Sequence, residues 1–180
     1  MSNLLDKSSI LLTPTAYENG KILSVKPVPS LGSELVVNGT FDSNINFWNK
    51  GGGNVNPLSW DNEKIKITND LAQLNSARQT ITTQIGKTYK VSADVNSVNG
   101  LTPRLASSNP TTAVIGTLGT IETLTYTFIA TSTSSQIELF NWQSTLGKYN
   151  LWDNVSVKEE IDGDFDFTRN SSATRVNSQG

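Results

Sequence analysis

Between residues 34 and 158, apolar side chains recur at every second position in short runs separated by turn residues, and this two-residue period restricts the fold more than any other feature. Successive side chains of a strand point to opposite faces, so such alternation describes strands with one face buried and one in water. Ile65 and Ile67 alternate with lysine and threonine, and Tyr89, Val91, Ala93 and Val95 repeat the pattern. Leu124, Tyr126, Phe128 and Ala130 form a third run, followed by Ile137 with Leu139 and by Leu151, Val155 and Val157. Ile81 and Ile85 supply a further strand, which the turn Ile85-Gly86-Lys87-Thr88 is expected to fold against the Tyr89 strand as a hairpin. No segment has a helical period, and threonine, serine and asparagine fill the outward positions. An all-β fold follows, with two sheets packed as a β-sandwich.

The flanks have a different texture. In residues 1–33, Pro14, Pro27 and Pro29 with Gly20 and Gly32 break any period, so this zone is expected to be extended. Its apolar residues Leu4, Leu5, Ile10, Leu11 and Leu12 exceed what a solvated linker exposes, which points to an attachment segment buried by a partner. Residues 159–180 begin with an acidic hinge from Glu159 to Gly163. Phe165 and Phe167 then alternate with Asp164 and Asp166 as a short strand. The stretch reaches Gly180 without a packed ending, so the polypeptide is expected to continue. The division expected is 1–33, 34–158 and 159–180.

Composition excludes several chemistries. Lysine and arginine number 14 against 16 acidic residues, with no run of either sign, so there is no electrostatic footprint for nucleic acid. Cysteine and histidine are absent. That removes disulfides, thiolate nucleophiles, the usual neutral-pH general base and the commonest transition-metal ligands. There is no basic start with a cleavage site at the N-terminus and no apolar run long enough to cross a bilayer, so no membrane insertion is expected. Nothing singles out a pair of carboxylates for glycoside hydrolysis, and the chain is read as a non-enzyme without catalytic residues.

Three stretches resemble the carbohydrate-binding-module jelly rolls of the galactose-binding-like superfamily. They are Glu34 through Asn38, Gly39 and Thr40 to Phe41 with Phe47 and Trp48; Gly86 through Tyr89 and Asp94 to Val95; and Trp152 through Asp153, Asn154, Val155 and Ser156 to Val157. The resemblance spans nearly all of 34–158 and implies a jelly-roll sandwich that stacks sugar rings on aromatic side chains. By alternation Phe140 and Trp142 oppose Ile137 and Leu139, while Trp152 and Asn154 oppose Leu151, Val155 and Val157. Phe140, Trp142, Trp152 and Asn154 would then form one platform for host surface polysaccharide if the two strands are neighbours; the alternatives are that both sheet faces are partly covered or that the platform packs on a neighbouring subunit. Trp48 is expected in the core, and Trp60 suits either role. The same resemblance implies a structural calcium (Ca2+) at the junction of first and last strands, with Asp153 as ligand and Glu34 or Asp42 as the second acid. The alternative is a solvated Asp153. Asp162, Asp164 and Asp166 lack the further ligands of a calcium loop and read as one exposed strand face.

The flanking stretches LLTPTAYENGKILSVKPVP at 11–29 and GDFDFTRNSSATRVNSQG at 163–180 resemble the opening region of tail-fibre and appendage proteins of tailed bacteriophages, particularly those of Bacteroidetes hosts. That resemblance implies a structural component of a phage virion, the virion-proximal part of a head or tail fibre with the jelly roll inserted. Residues 1–33 would dock on capsid or tail proteins, and 159–180 would lead to a downstream fibre. The chain would be made in the host bacterial cytoplasm, assembled into the virion, and present as a homo-oligomer, in the manner of fibres a trimer. The alternative function is an adhesin or glycan-binding module recognising host surface polysaccharide.

Overall fold

The computed structural model describes residues 17–18, 21–22, 30–51, 57–69 and 74–161. They fall in two units, one spanning Leu31–Glu160 and the other formed by Met1–Ser30 with Ile161–Gly180. In the second unit the described residues form a small antiparallel pair, β1 (Tyr17–Glu18) and β2 (Lys21–Ile22). Leu4, Leu5, Ile10, Leu11, Leu12 and the Asp162–Phe167 stretch lie outside the described residues.

In the Leu31–Glu160 unit the strands run in the order β3 (Ser30–Glu34), β4 (Asn49–Gly51), β5 (Leu58–Trp60), β6 (Ile65–Thr68), β7 (Ser76–Thr82), β8 (Thr88–Asn96), β9 (Pro103–Ser107), β10 (Thr112–Ile115), β11 (Ile121–Ile129), β12 (Ser134–Asn141) and β13 (Tyr149–Ile161). Among the described residues there is no helix. One sheet has the order β10-β9-β12-β7-β4 and the other β11-β8-β13-β6-β5, with β3 also paired to β13. The two sheets make the jelly-roll sandwich that the alternation and the resemblance indicate.

The inner faces meet in one apolar core. Tyr89, Val91, Ala93 and Val95 of β8 pack with Leu124 and Phe128 of β11, Ile137 and Leu139 of β12, and Ile65 and Ile67 of β6. Tyr89 and Phe128 lie directly opposite in the β8–β11 register and stack with centroids 5.5 Å apart. Phe41 and Trp48 close one side at 5.6 Å, held by the Gln79 amide, which accepts from Val37 N at 2.7 Å and donates to Val37 O at 2.8 Å. Trp48 is therefore core, as its position suggested. Gly39 passes so close to β13 that an added Cβ would strike the Val155 carbonyl, which explains a glycine there.

The strand pairing and the β13 register overturn two expectations. The Ile81 strand does not form a hairpin with the Tyr89 strand: β7 pairs with β12 and β4, and β8 with β11 and β13. The turn at Gln84–Lys87 crosses between sheets, leaving Ile85 exposed. Trp152 does not face outward either. A bulge shifts the β13–β8 register by one residue between Asp153 and Ser156, with Asn154 at φ 48°. One inserted residue reverses parity, so Trp152 before the bulge and Val155 and Val157 after it all point inward, and Leu151 turns out.

Trp152 is fully buried, and its indole N–H has no hydrogen-bond partner in the structure, so it acts through packing alone. Trp152→Ala is expected to cost about 3–5 kcal/mol, read as a lowered urea midpoint. Trp152→Phe keeps a ring and discards the unpaired donor, so it should cost less. An unchanged midpoint for the alanine variant would contradict the core assignment.

Candidate functional site

With Ile137, Leu139 and Asn141 of β12 turned inward, Glu138, Phe140 and Trp142 fall on the outer face of the five-stranded sheet. The register carries rows across this face. Phe140 stands between Arg104 of β9 and Ser76 of β7, with Ile115 and Gly51 beyond them. Glu138 stands between Ala106 and Arg78, with Ala113 and Asn49 beyond. Ala106, Ser76 and Gly51 are buried, so the larger side chains rise from a floor of small ones.

Phe140 and Trp142 lie with ring centroids 5.7 Å apart and tilted by 51°. Trp142 is 46% exposed, whereas Phe140 is almost covered. The Arg104 guanidinium sits 4.7 Å from the Trp142 centroid and 5.7 Å from that of Phe140, a cation–π arrangement that stiffens the indole and leaves N–H donors beside it. Next to them Arg78 Nε donates to Glu138 Oε1 at 2.7 Å, and Ser76 Oγ donates to the same oxygen at 2.6 Å. Such a carboxylate is fixed as an acceptor. The face thus offers an apolar ring surface, cationic donors and an oriented acceptor, the elements that hold a sugar ring.

The other expected platform members lie elsewhere. Trp152 is in the core, and Asn154 lies on β13 of the six-stranded sheet, where its amide donates to Asp94 at 2.9 Å. Strands β12 and β13 belong to different sheets, so the four residues form no single platform. Trp60 is half-exposed, and its indole donates to Phe41 O at 2.7 Å. Arg104, Arg78 and Glu138 were not singled out from the sequence. The alternation of Arg104 with Leu105 in the short run Pro103–Ser107 was the available signal.

Asp153 borders a cleft of about 340 Å3 on the six-stranded sheet, with Asp94, Lys64, Thr123, Ile121 and Leu151. Its carboxylate accepts from Asn154 N at 2.7 Å and lies 3.8 Å from Lys64 Nζ. Burial raises the Asp153 carboxyl above its ordinary range; the Asn154 bond and Lys64 pull it down, and Asp94 and Asp42 push it up. Glu34 is occupied otherwise: Leu35 N, Val36 N, Val157 N and Ser156 Oγ all donate to it, tying the first strand to the last. Among the described residues no group of three or more carboxylates is gathered for a cation, and an ammonium stands beside Asp153. Side chains alone therefore do not complete a calcium cage, whose remaining ligands would be backbone carbonyls and water. Burial also raises the Tyr126 hydroxyl well above the ordinary phenol range, opposed by Ser107 and Arg104, so it stays protonated at neutral pH.

No family model matches the chain, and no curated protein matches it in sequence. Solved structures do share its fold. A CBM4 carbohydrate-binding module superposes with a TM-score of 0.54 at 20% identity, over 69% of this chain and 99% of that one. A CBM61 module in complex with β-1,4-galactotriose gives 0.55 at 15% identity, over 72% and 100%. The enzymatically active domain of tailspike protein 4 from bacteriophage CBA120 gives 0.53 at 16% identity, over 70% of this chain but 21% of that one. What the chain shares with them is the fold, a two-sheet β-sandwich jelly roll.

Because the folded state raises the Asp153 carboxyl, it holds that proton more tightly than the unfolded chain does. Stability is then lost as pH rises from the unfolded carboxyl range through the raised folded value, and the loss persists above it. Asp153→Asn removes the titration while keeping an acceptor for Asn154 N, and the exposed Lys64 pair it discards contributes little. With EDTA present, the variant's melting temperature should gain on the parent as pH is raised through the carboxylate range and match it most closely at acid pH. A gain that is largest at acid pH would contradict this sign.

Proposed function

We propose that the Leu31–Glu160 unit is a glycan-binding module that holds a polysaccharide across the outer face of the five-stranded sheet. The observation carrying this reading is the cluster of Trp142, Phe140 and Arg104, with the Arg78–Glu138 pair beside it. Trp142 supplies the ring on which a pyranose stacks, Arg104 orients it and donates to hydroxyls, and Glu138 accepts from them. The fold likeness to carbohydrate-binding modules is compatible with a binding role. The paired state of Glu138 supports it, since a carboxylate held by Arg78 and Ser76 is poorly placed to protonate a leaving group.

A second reading places the chain in a phage virion, as the virion-proximal part of a head or tail fibre that carries the module. It is supported by the fold likeness to the tailspike domain and by the resemblance of residues 11–29 and 163–180 to phage appendage proteins. The partners would be capsid or tail proteins and further copies of the chain, with Leu4, Leu5, Ile10, Leu11 and Leu12 as attachment residues. The two readings are compatible, since a fibre-borne module would recognise host surface polysaccharide.

Trp142→Ala is expected to weaken retention on host capsular polysaccharide by about 1–2 kcal/mol, roughly five- to thirtyfold in affinity, with the melting temperature nearly unchanged. Equal retention by parent and variant would remove this face as the site. For the virion reading, deleting residues 2–12 should give particles that lack the protein. Incorporation of the truncated chain at normal copy number would place attachment elsewhere.

A further inference from the structure

The sandwich has one long open edge among the described residues. The other edge strands β3, β4, β5 and β10 are three to five residues long, but β11 runs for nine and pairs with β8 alone. Its register with β8 is continuous from Ile121 to Ile129. Natural edges of this length are guarded by lysine, proline or a bulge. β11 has none of these, and its single charge, Glu122, is occupied in accepting from Thr120 Oγ1 at 2.9 Å and from Thr117 N.

The ladder fixes what this edge presents. Ser97 N donates to Thr120 O at 2.8 Å and Ala130 N donates to Lys87 O at 2.9 Å, so even-numbered residues bond to β8. The alternate residues Ile121, Thr123, Thr125, Thr127 and Ile129 direct their N–H and C=O groups to the open side. All five side chains are exposed, Ile121 to 74% and Ile129 to 59%. Read in either direction their order is Ile, Thr, Thr, Thr, Ile. A two-fold interface needs a strip that is complementary to itself.

We propose that β11 is the interface of a homodimer in which two copies pair antiparallel about a two-fold axis at Thr125. Thr125 meets Thr125 of the second copy, Thr123 meets Thr127, and each exposed isoleucine meets the opposite one. The odd-numbered residues exchange backbone hydrogen bonds across the axis, joining two six-stranded sheets into one. This symmetry differs from the three-fold expected of a fibre, and the inference does not depend on glycan binding.

Sedimentation equilibrium of the full 180-residue chain tests it. The parent should sediment at twice 19.5 kDa. Thr125→Lys and Thr125→Glu each set like charges together on the axis and should weaken the dimer about a hundredfold, with an unchanged strand spectrum and a melting temperature that no longer rises with protein concentration as the parent's does. An equimolar mixture of the two should restore the dimer, because Lys then faces Glu. Thr125→Pro, which removes an N–H that β8 does not use, should also give monomers and serves if either charged variant fails to fold. A monomeric or trimeric parent, a Thr125→Lys protein that still dimerises, or a mixture that stays monomeric would each overturn the proposal.

Discussion

The Asn141 side chain ties β12 to the opposite sheet, donating to Ile67 O at 2.9 Å and to Asn69 Oδ1 at 3.2 Å in a fully buried setting. A buried amide that donates twice tolerates little displacement, because each lost bond would leave a desolvated polar group. That anchor sets the phase of the strand. Ile137 and Leu139 share the inner face with Asn141, and Glu138, Phe140 and Trp142 are forced outward. Trp142 N donates to Thr102 O at 3.0 Å, which holds the indole where β12 leaves the sheet. The same end of the sandwich is closed by Asn150, whose amide exchanges bonds with both backbone groups of Leu101. The aromatic cluster therefore stands on a buried, hydrogen-bonded base, so a ligand stacked on it would cost little ordering entropy there.

Much of the fold was legible because alternation is a local property. Val91, Ala93 and Val95, or Ile137 and Leu139, declare their faces without reference to the rest of the chain, and all are core. Sheet membership is not local. The Gln84–Lys87 turn looks like a hairpin turn but joins strands of different sheets, since β7 finds β12 and β4 as partners from far along the sequence.

The site was half legible for the same reason. Phe140 and Trp142 lie on the outer face, where parity put them, but Trp152 does not, because the bulge before Ser156 inserts a residue that the periodicity of Leu151, Val155 and Val157 conceals. Arg104, Arg78 and Glu138 come together only through the β9–β12–β7 register, a tertiary fact. The calcium expectation rested on resemblance; Glu34 stitches β3 to β13 with its carboxylate, and Asp153 stands beside Lys64.

The four tryptophans allow the central claim to be tested in one experiment. Trp48 and Trp152 are core, Trp60 donates its indole N–H to Phe41 O, and Trp142 stands on the outer face beside Arg104. In a nitrogen–proton correlation spectrum each indole N–H gives its own signal. Titration with oligosaccharides from host surface polysaccharide should move the Trp142 signal and the Arg104 Nε–H signal, leaving those of Trp48 and Trp152 in place. Saturable shifts confined to Trp60 or to the six-stranded sheet, or no shift with any such oligosaccharide, would contradict glycan binding at this face.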